Sequence, residues 1–220
     1  VLNALKIKFP SIEGSTSDSI QAATSDMVFL ALHPPVLMES IQSLKNSFNS
    51  NSLFVSLAPK ITIEKIKSAI PQIPNIARMN PNAGTFVNKG FNPVCFADTT
   101  SKNAINEFIN LFEKLGKVPV VSESKIEAYA VISAMGHTYF WFQLQELKEL
   151  ALTFGLTENE AKETITAMLW GTSETLFNSG LPYADVINLV PVKPLAEHEN
   201  TINEFYRASL NGIFQKIKPQ

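Results

Sequence analysis

Two short apolar runs, each closed by proline and separated by a helical pattern, constrain this chain more than any other feature. Met27-Val28-Phe29-Leu30-Ala31-Leu32 stops at His33-Pro34-Pro35, and Leu53-Phe54-Val55-Ser56-Leu57-Ala58 stops at Pro59. A strand covered by helices on both faces keeps no polar side, so continuous apolar runs of this length read as buried strands of a parallel sheet. Between them Val36, Leu37, Ile41 and Leu44 recur at helical spacing, which completes a strand-helix-strand unit. Thr62 then leads into a short helix through Ile63, Ile66, Ala69 and Ile70, ended by Pro71, and Asn75 to Met79 reads as the next strand. Residues 91–97 and 117–121 are further strand candidates. They flank a helix carrying Ala104, Ile105, Phe108, Ile109, Phe112 and Leu115, with Gly116 as its stop. Such alternation predicts an α/β fold whose ligand lies beyond the carboxyl ends of the strands. Those ends are His33-Pro34-Pro35, Ser56 to Pro59 and Asn80 to Thr85.

Near residue 122 the pattern changes to helix. Residues 124–154 predict one long helix or two joined near Gly136, and Tyr139-Phe140-Trp141-Phe142 would cover most of its circumference. A surface helix keeps its apolar stripe to one side, so this one is expected to be buried on several sides, in part by a second subunit. Gly155 ends it. Thr157 with Glu160 marks the N-terminus of a second helix, which carries Ala161 to Phe177 and stops near Gly180. A third segment is expected from about Pro182, and a fourth carries Ile202, Phe205, Tyr206, Leu210, Ile213 and Phe214. The expected division is therefore 1–121 and 122–220.

Composition removes several partners. With 18 Lys plus Arg against 20 Asp plus Glu, the net charge of −2 lacks the basic surplus that nucleic acid requires. No apolar run approaches the roughly 20 residues that span a bilayer, so no membrane partner is expected. The single Cys95 suits a reducing cytoplasm and reads as a buried small hydrophobe. His198, between Glu197 and Glu199, lies in a solvated stretch, and no metal site is expected. The nine glycines include no Gly-x-Gly-x-x-Gly, the turn that cradles a dinucleotide pyrophosphate.

Four segments, in order, resemble the pyrroline-5-carboxylate reductase family. Ala31-Leu32-His33-Pro34 is similar to the family's Ala-Val-Lys-Pro, and Val55-Ser56-Leu57-Ala58-Pro59-Lys60 to its Ile-Ser-Ile-Ala-Ala-Gly. Arg78-Met79-Asn80-Pro81-Asn82-Ala83-Gly84 stands in register with Arg-x-Met-Pro-Asn-Thr-Pro, and Ile132-Ser133-Ala134-Met135-Gly136-His137-Thr138-Tyr139 with Leu-Ser-Gly-Ser-Gly-Pro-Ala-Tyr. The resemblance runs from about Asp18 to about Gly180.

It implies a partial Rossmann-like domain that binds NADP or NAD, followed by a helical domain that pairs with its twin in a homodimer. It further implies an NAD(P)H-dependent reductase of a small imine or carbonyl compound, as in proline biosynthesis, acting at a site between the domains. Ala31, Leu32, His33, Pro34, Ser56, Leu57, Ala58 and Asn82 would line the cofactor. Ser133, Met135, Gly136 and Thr138 would face the substrate and nicotinamide, and His137 would donate the proton. Gly136, without a Cβ, suits the close approach of a flat ring. Three departures stand out. Met135 replaces a serine, His137 replaces the helix proline, and Leu189 to Leu195 replaces Ser-Pro-Gly-Gly-Thr-Thr. The family's first strand, glycine-rich turn and first helix have no counterpart, an expected shortfall of roughly 50 residues. A catalytically inactive relative that keeps the fold for binding is the alternative expectation. A β-hydroxyacid dehydrogenase would need a lysine within 133–140, and none is there.

Overall fold

The computed structural model describes residues 2–15 and 19–219. Asp18, where the resemblance begins, and the two terminal residues lie outside them. The described residues up to Ala134, together with those from Ile213, pack as one unit, and Met135–Gly212 forms a second. The division of packing thus falls beyond residue 122, where the sequence pattern changes.

In the first unit, helices α1 (Leu2–Lys8) and α2 (Ser19–Ala23) precede strand β1 (Met27–Leu30). Helix α3 (Pro34–Leu44), β2 (Leu53–Ser56), α4 (Ile63–Ala69) and β3 (Ile76–Met79) follow as two successive crossovers. The apolar runs therefore become strands, each shorter by two residues than the run itself. The chain leaves the sheet at Ala31 and at Leu57, where loop residues begin. Thr62 caps α4 by accepting the Lys65 backbone N–H at 3.2 Å. Short strands β4 (Gly90–Phe91), β5 (Val94–Phe96) and β6 (Gly116–Lys117) surround α5 (Lys102–Phe112), which Ser101 caps at the Ala104 N–H.

The main sheet has the order β1-β2-β3-β5, parallel through the first three strands, with β5 antiparallel to β3. Strand side chains alternate between faces, and this sheet buries both. Phe54, Ile76 and Leu30 pack with Leu37, Ile41 and Ile66 from α3 and α4, whereas Leu53, Val55, Ala77 and Met79 pack with Ala104 and Phe108 from α5. Phe29 reaches this second core as well, its ring 5.6 Å from that of Phe112. Cys95 is buried in β5, as the sequence suggested; burial, assisted by the Glu123 carboxylate, pushes its thiol up to about 12. That thiol is a packing group and not a nucleophile.

After β6 the chain forms a short 3₁₀ turn at Glu123–Lys125, helix α6 (Ile126–Tyr129) and a π-helical turn at Ala130–Ala134. The two-helix alternative is therefore the one adopted, with the break just before Gly136. The second unit holds α7 (Gly136–Thr153), α8 (Glu158–Asn178), α9 (Tyr183–Val186) and most of α10 (Glu199–Ile217). Gly155, with φ of +97°, turns the chain between α7 and α8, where Thr157 and Glu160 form a full capping box. Tyr139 meets Tyr206 edge to face at 6.0 Å, which joins α7 to α10. Burial of the aromatic quartet on several sides is not met within one chain: Phe140, Trp141 and Phe142 are all exposed. Among the described residues no helix is long and apolar enough to cross a membrane.

Candidate functional site

Parallel register brings the carboxyl ends of β1, β2 and β3 to one edge of the sheet in that order. The Leu57 N–H donates to the Leu30 carbonyl at 3.2 Å, so the loop after β1 and the loop after β2 leave side by side. Ala31, Leu32 and His33 are exposed there, and Pro34 is half-buried at the start of α3. His33 is extended, with φ −65° and ψ 149°, the conformation that a following proline imposes. Ser56 is buried, and its Oγ accepts the Ala58 N–H at 3.3 Å, which fixes the turn off β2. Leu57 is half-buried and Ala58 buried.

The loop after β3 is held by its own amides. The Asn82 Oδ1 accepts the Gly84 N–H at 3.0 Å and its Nδ2 donates to the Phe91 carbonyl at 2.5 Å. A primary amide has two donors and two lone pairs, so one of each remains beyond these loop bonds. Asn92 completes the loop by accepting from the Thr85 hydroxyl at 2.9 Å.

The helical entry is tied to this same edge by two side chains of the β3 segment. Arg78 is 1% exposed; its Nη1 lies 2.9 Å from Glu123 Oε1 and its Nη2 2.6 Å from Glu127 Oε1. Burial by itself lowers the Arg78 pKa, but the Glu127 and Glu123 carboxylates outweigh it and hold the guanidinium above its ordinary value. Glu123 Oε1 also accepts the Ile63 N–H at 2.7 Å, which joins the start of α4 to the same cluster. Asn80 Nδ2 donates to the Ile126 carbonyl at 2.5 Å. Strand end and helical entry thus share one polar clamp. Ser133 follows in the π turn, where its hydroxyl donates to the Tyr129 carbonyl at 2.8 Å. Such turns are inserted where a helix must re-aim its side chains, often at functional sites.

In the second unit, Met135 and His137 are half-buried, Gly136 is buried and Thr138 is exposed. The Thr138 hydroxyl donates to the Met135 carbonyl at 2.7 Å, and the His137 ring lies 5.8 Å from Trp141 on the same helix. A Cβ built on Gly136 would meet only Tyr139 Cε2, at 4.0 Å. Internal packing therefore gives no reason for glycine at this position. The sequence expectations did not give Arg78, Glu123 and Glu127 a role, although Arg78 lay within a quoted motif. Among the described residues, no group of three His, Cys, Asp or Glu side chains stands together as a metal site would require.

No family model matches the chain. Over 169 residues it is 22% identical to pyrroline-5-carboxylate reductase of Escherichia coli, a match covering 77% of this chain and 63% of that enzyme. Over 204 residues it is 24% identical to the enzyme of the same name from Corynebacterium melassecola, covering 91% and 75%. The chain thus spans somewhat under two thirds of the Escherichia coli relative. Among solved structures, pyrroline carboxylate reductase of Plasmodium falciparum with NADP bound superposes with a TM-score of 0.77 at 18% identity, covering 95% of this chain and 84% of that one. A pyrroline-5-carboxylate reductase from Coxiella burnetii gives 0.64 at 24%, covering 98% and 80%. The chain is a diverged relative of these reductases in sequence and is similar to them in fold.

Proposed function

We propose that this chain carries the larger part of an NAD(P)H-dependent reductase of a small imine or carbonyl compound. The observation that carries the reading is the common edge of β1, β2 and β3, where Ser56 ends β2 and Ala31–Pro34, Leu57, Ala58 and Asn82 follow the ends of adjacent parallel strands. A crevice beyond the carboxyl ends of such strands is where an open α/β sheet takes its ligand. These residues suit a dinucleotide: the rim is formed by exposed Ala31, Leu32 and His33, and Asn82 keeps one donor and one acceptor. When bound, the nicotinamide supplies the hydride. The chain's own residues position the reactants, since hydride transfer depends on placement more than on acid or base groups. Ser133, Met135, Gly136 and Thr138 would shape the substrate pocket, and His137 would hold the proton for the reduced product. The single buried thiol suits a reducing compartment such as the cytoplasm.

Purified protein mixed with NADPH or NADH and a panel of cyclic imines and small carbonyl compounds should consume the reduced cofactor. The reading fails if neither nucleotide binds or is oxidised. Gly136→Ala separates site from scaffold. The added methyl has room, and alanine in place of glycine favours the helix by up to about 1 kcal/mol, so the melting temperature should hold or rise. A ring packed on that backbone would be displaced, and kcat/KM should fall about tenfold or more, as about 1.4 kcal/mol of lost transition-state stabilisation implies. Full activity in this variant would remove the ring from Gly136.

The reading includes a homodimer formed through the helical unit. Phe142, Trp170, Phe177 and Phe205 are each more than half exposed in one chain, an apolar display that soluble monomers seldom carry. Sedimentation equilibrium should return twice the 24.3 kDa chain mass. Monomers at micromolar concentration would count against the proposal.

A further inference from the structure

At the ends of β1 and β2 a cavity of ≈ 330 Å³ opens, lined by Pro34, Pro35, Met38, Lys60, Ile61 and Lys65. Two of its six residues are cations and none is an acid. Among the described residues, neither ammonium is part of a salt bridge. The usual anion device is missing at this place, because Pro34 and Pro35 occupy the first helical positions of α3 and offer no N–H groups. The two charged groups that line the cavity are therefore the lysine side chains.

The backbone supplies a second, independent observation. Lys60 sits in the left-handed region at φ +67°, one of only two non-glycine residues to do so among those described. A Cβ is disfavoured there and glycine is the default. Such strain persists where the surrounding structure enforces it, and it clusters at ligand sites. Here it places a flexible cationic side chain in the lining of the cavity.

We propose that Lys60 and Lys65 form a phosphate-binding site at the carboxyl edge of the sheet, occupied by a phosphate group of the dinucleotide. The identity of that ligand rests on the reductase reading; the anion site does not. Lysine is a compact, strongly hydrated point charge that meets phosphate oxygens from several directions, which suits a flexible diphosphate or phosphomonoester. Two uncompensated charges beside an apolar wall also steer an anionic ligand toward the crevice.

Calorimetric titration of the full chain with NADPH, NADH and inorganic pyrophosphate tests the site, using Lys60→Gly, Lys65→Gln and the double variant. Lys60→Gly relieves the left-handed strain, so its melting temperature should hold or rise while ligand affinity falls. That combination is opposite to what a merely structural lysine would give. The double variant should bind NADPH about tenfold more weakly and lose much of the salt dependence of binding. A larger loss for NADPH than for NADH places the 2′-phosphate at the lysines; equal losses place the bridging diphosphate there. Loss of pyrophosphate binding alone supports the site with a separate phosphate ligand. Lysine-dependent pyrophosphate binding in a protein that takes neither dinucleotide would sink the reductase reading and leave the site standing. Unchanged binding of all three probes in folded variants, or no binding of any by the parent chain, overturns the site.

Discussion

Replacing Arg78 by methionine should destabilise the protein by about 3–5 kcal/mol, the cost of removing one partner from a buried ion pair. Methionine matches the aliphatic stem in bulk, so the loss comes from Glu127, whose side chain is 4% exposed and would be left without its cation. Glu123 is 31% exposed and can turn to water, so Arg78→Met combined with Glu123→Gln should recover little. Combining Arg78→Met with Glu127→Leu should recover most of the loss, because an apolar pair of similar volume avoids desolvating any charge. Urea unfolding of the parent, Arg78→Met, Glu127→Leu and their double variant gives the coupling energy directly. Additive losses in the double variant would show that the clamp carries no shared energy. Activity is expected to fall with stability, because the clamp sets the entry to Ser133 from the strand that leads to Asn82.

The second large effect is expected at Gly116. This residue has φ +136° and ψ −163°, a region essentially restricted to glycine, and it pairs with Gly90 across the small β4–β6 sheet. A Cβ at Gly116 would overlap the backbone nitrogen and carbonyl of Gly90, which cannot move aside as a side chain would. Gly116→Ala should therefore cost at least about 3 kcal/mol. Gly171→Ala, inside α8 with open space around the added methyl, should stabilise by up to about 1 kcal/mol and serves as the control. The damage at Gly116 should also reach the candidate site. Phe91, next to Gly90, accepts the Asn82 amide, and Asn92 holds both Thr85 and the Asn82 N–H. Thermal melts and cofactor titration of the same samples would reveal both effects; a variant as stable as the parent would contradict the backbone overlap.

The strand ends were legible because local chemistry writes them. Pro34, Pro35 and Pro59 cannot continue a central strand, and the apolar runs before them belong to a sheet covered on both faces. Helix starts at Thr62 and Thr157 were legible for the same local reason, a hydroxyl accepting a backbone N–H. The direction of β5 was not, because an apolar run such as Val94 to Phe96 reads alike in either direction. The π turn at Ala130–Ala134 was hidden too, since a single inserted residue leaves a helical pattern almost intact. Arg78 looked like an ordinary strand residue within a motif. Its partners lie 45 and 49 residues away, and the pairing exists only once the helical entry has packed on β3. The candidate site shows the same split. Positions on the strand-end loops followed from the pattern, whereas the left-handed backbone at Lys60 could be seen only in the folded chain.

The two prolines that open α3 have a kinetic consequence for whatever binds at this edge. They fix their own φ angles and confine His33 to extended backbone before any ligand arrives. The rim of the crevice has therefore already given up its conformational freedom on folding, and a ligand need not bear that entropy again. Association at this edge should follow a single diffusive step whose rate scales with ligand concentration without reaching a plateau. Affinity changes at the site would then be read mainly in how fast the ligand leaves.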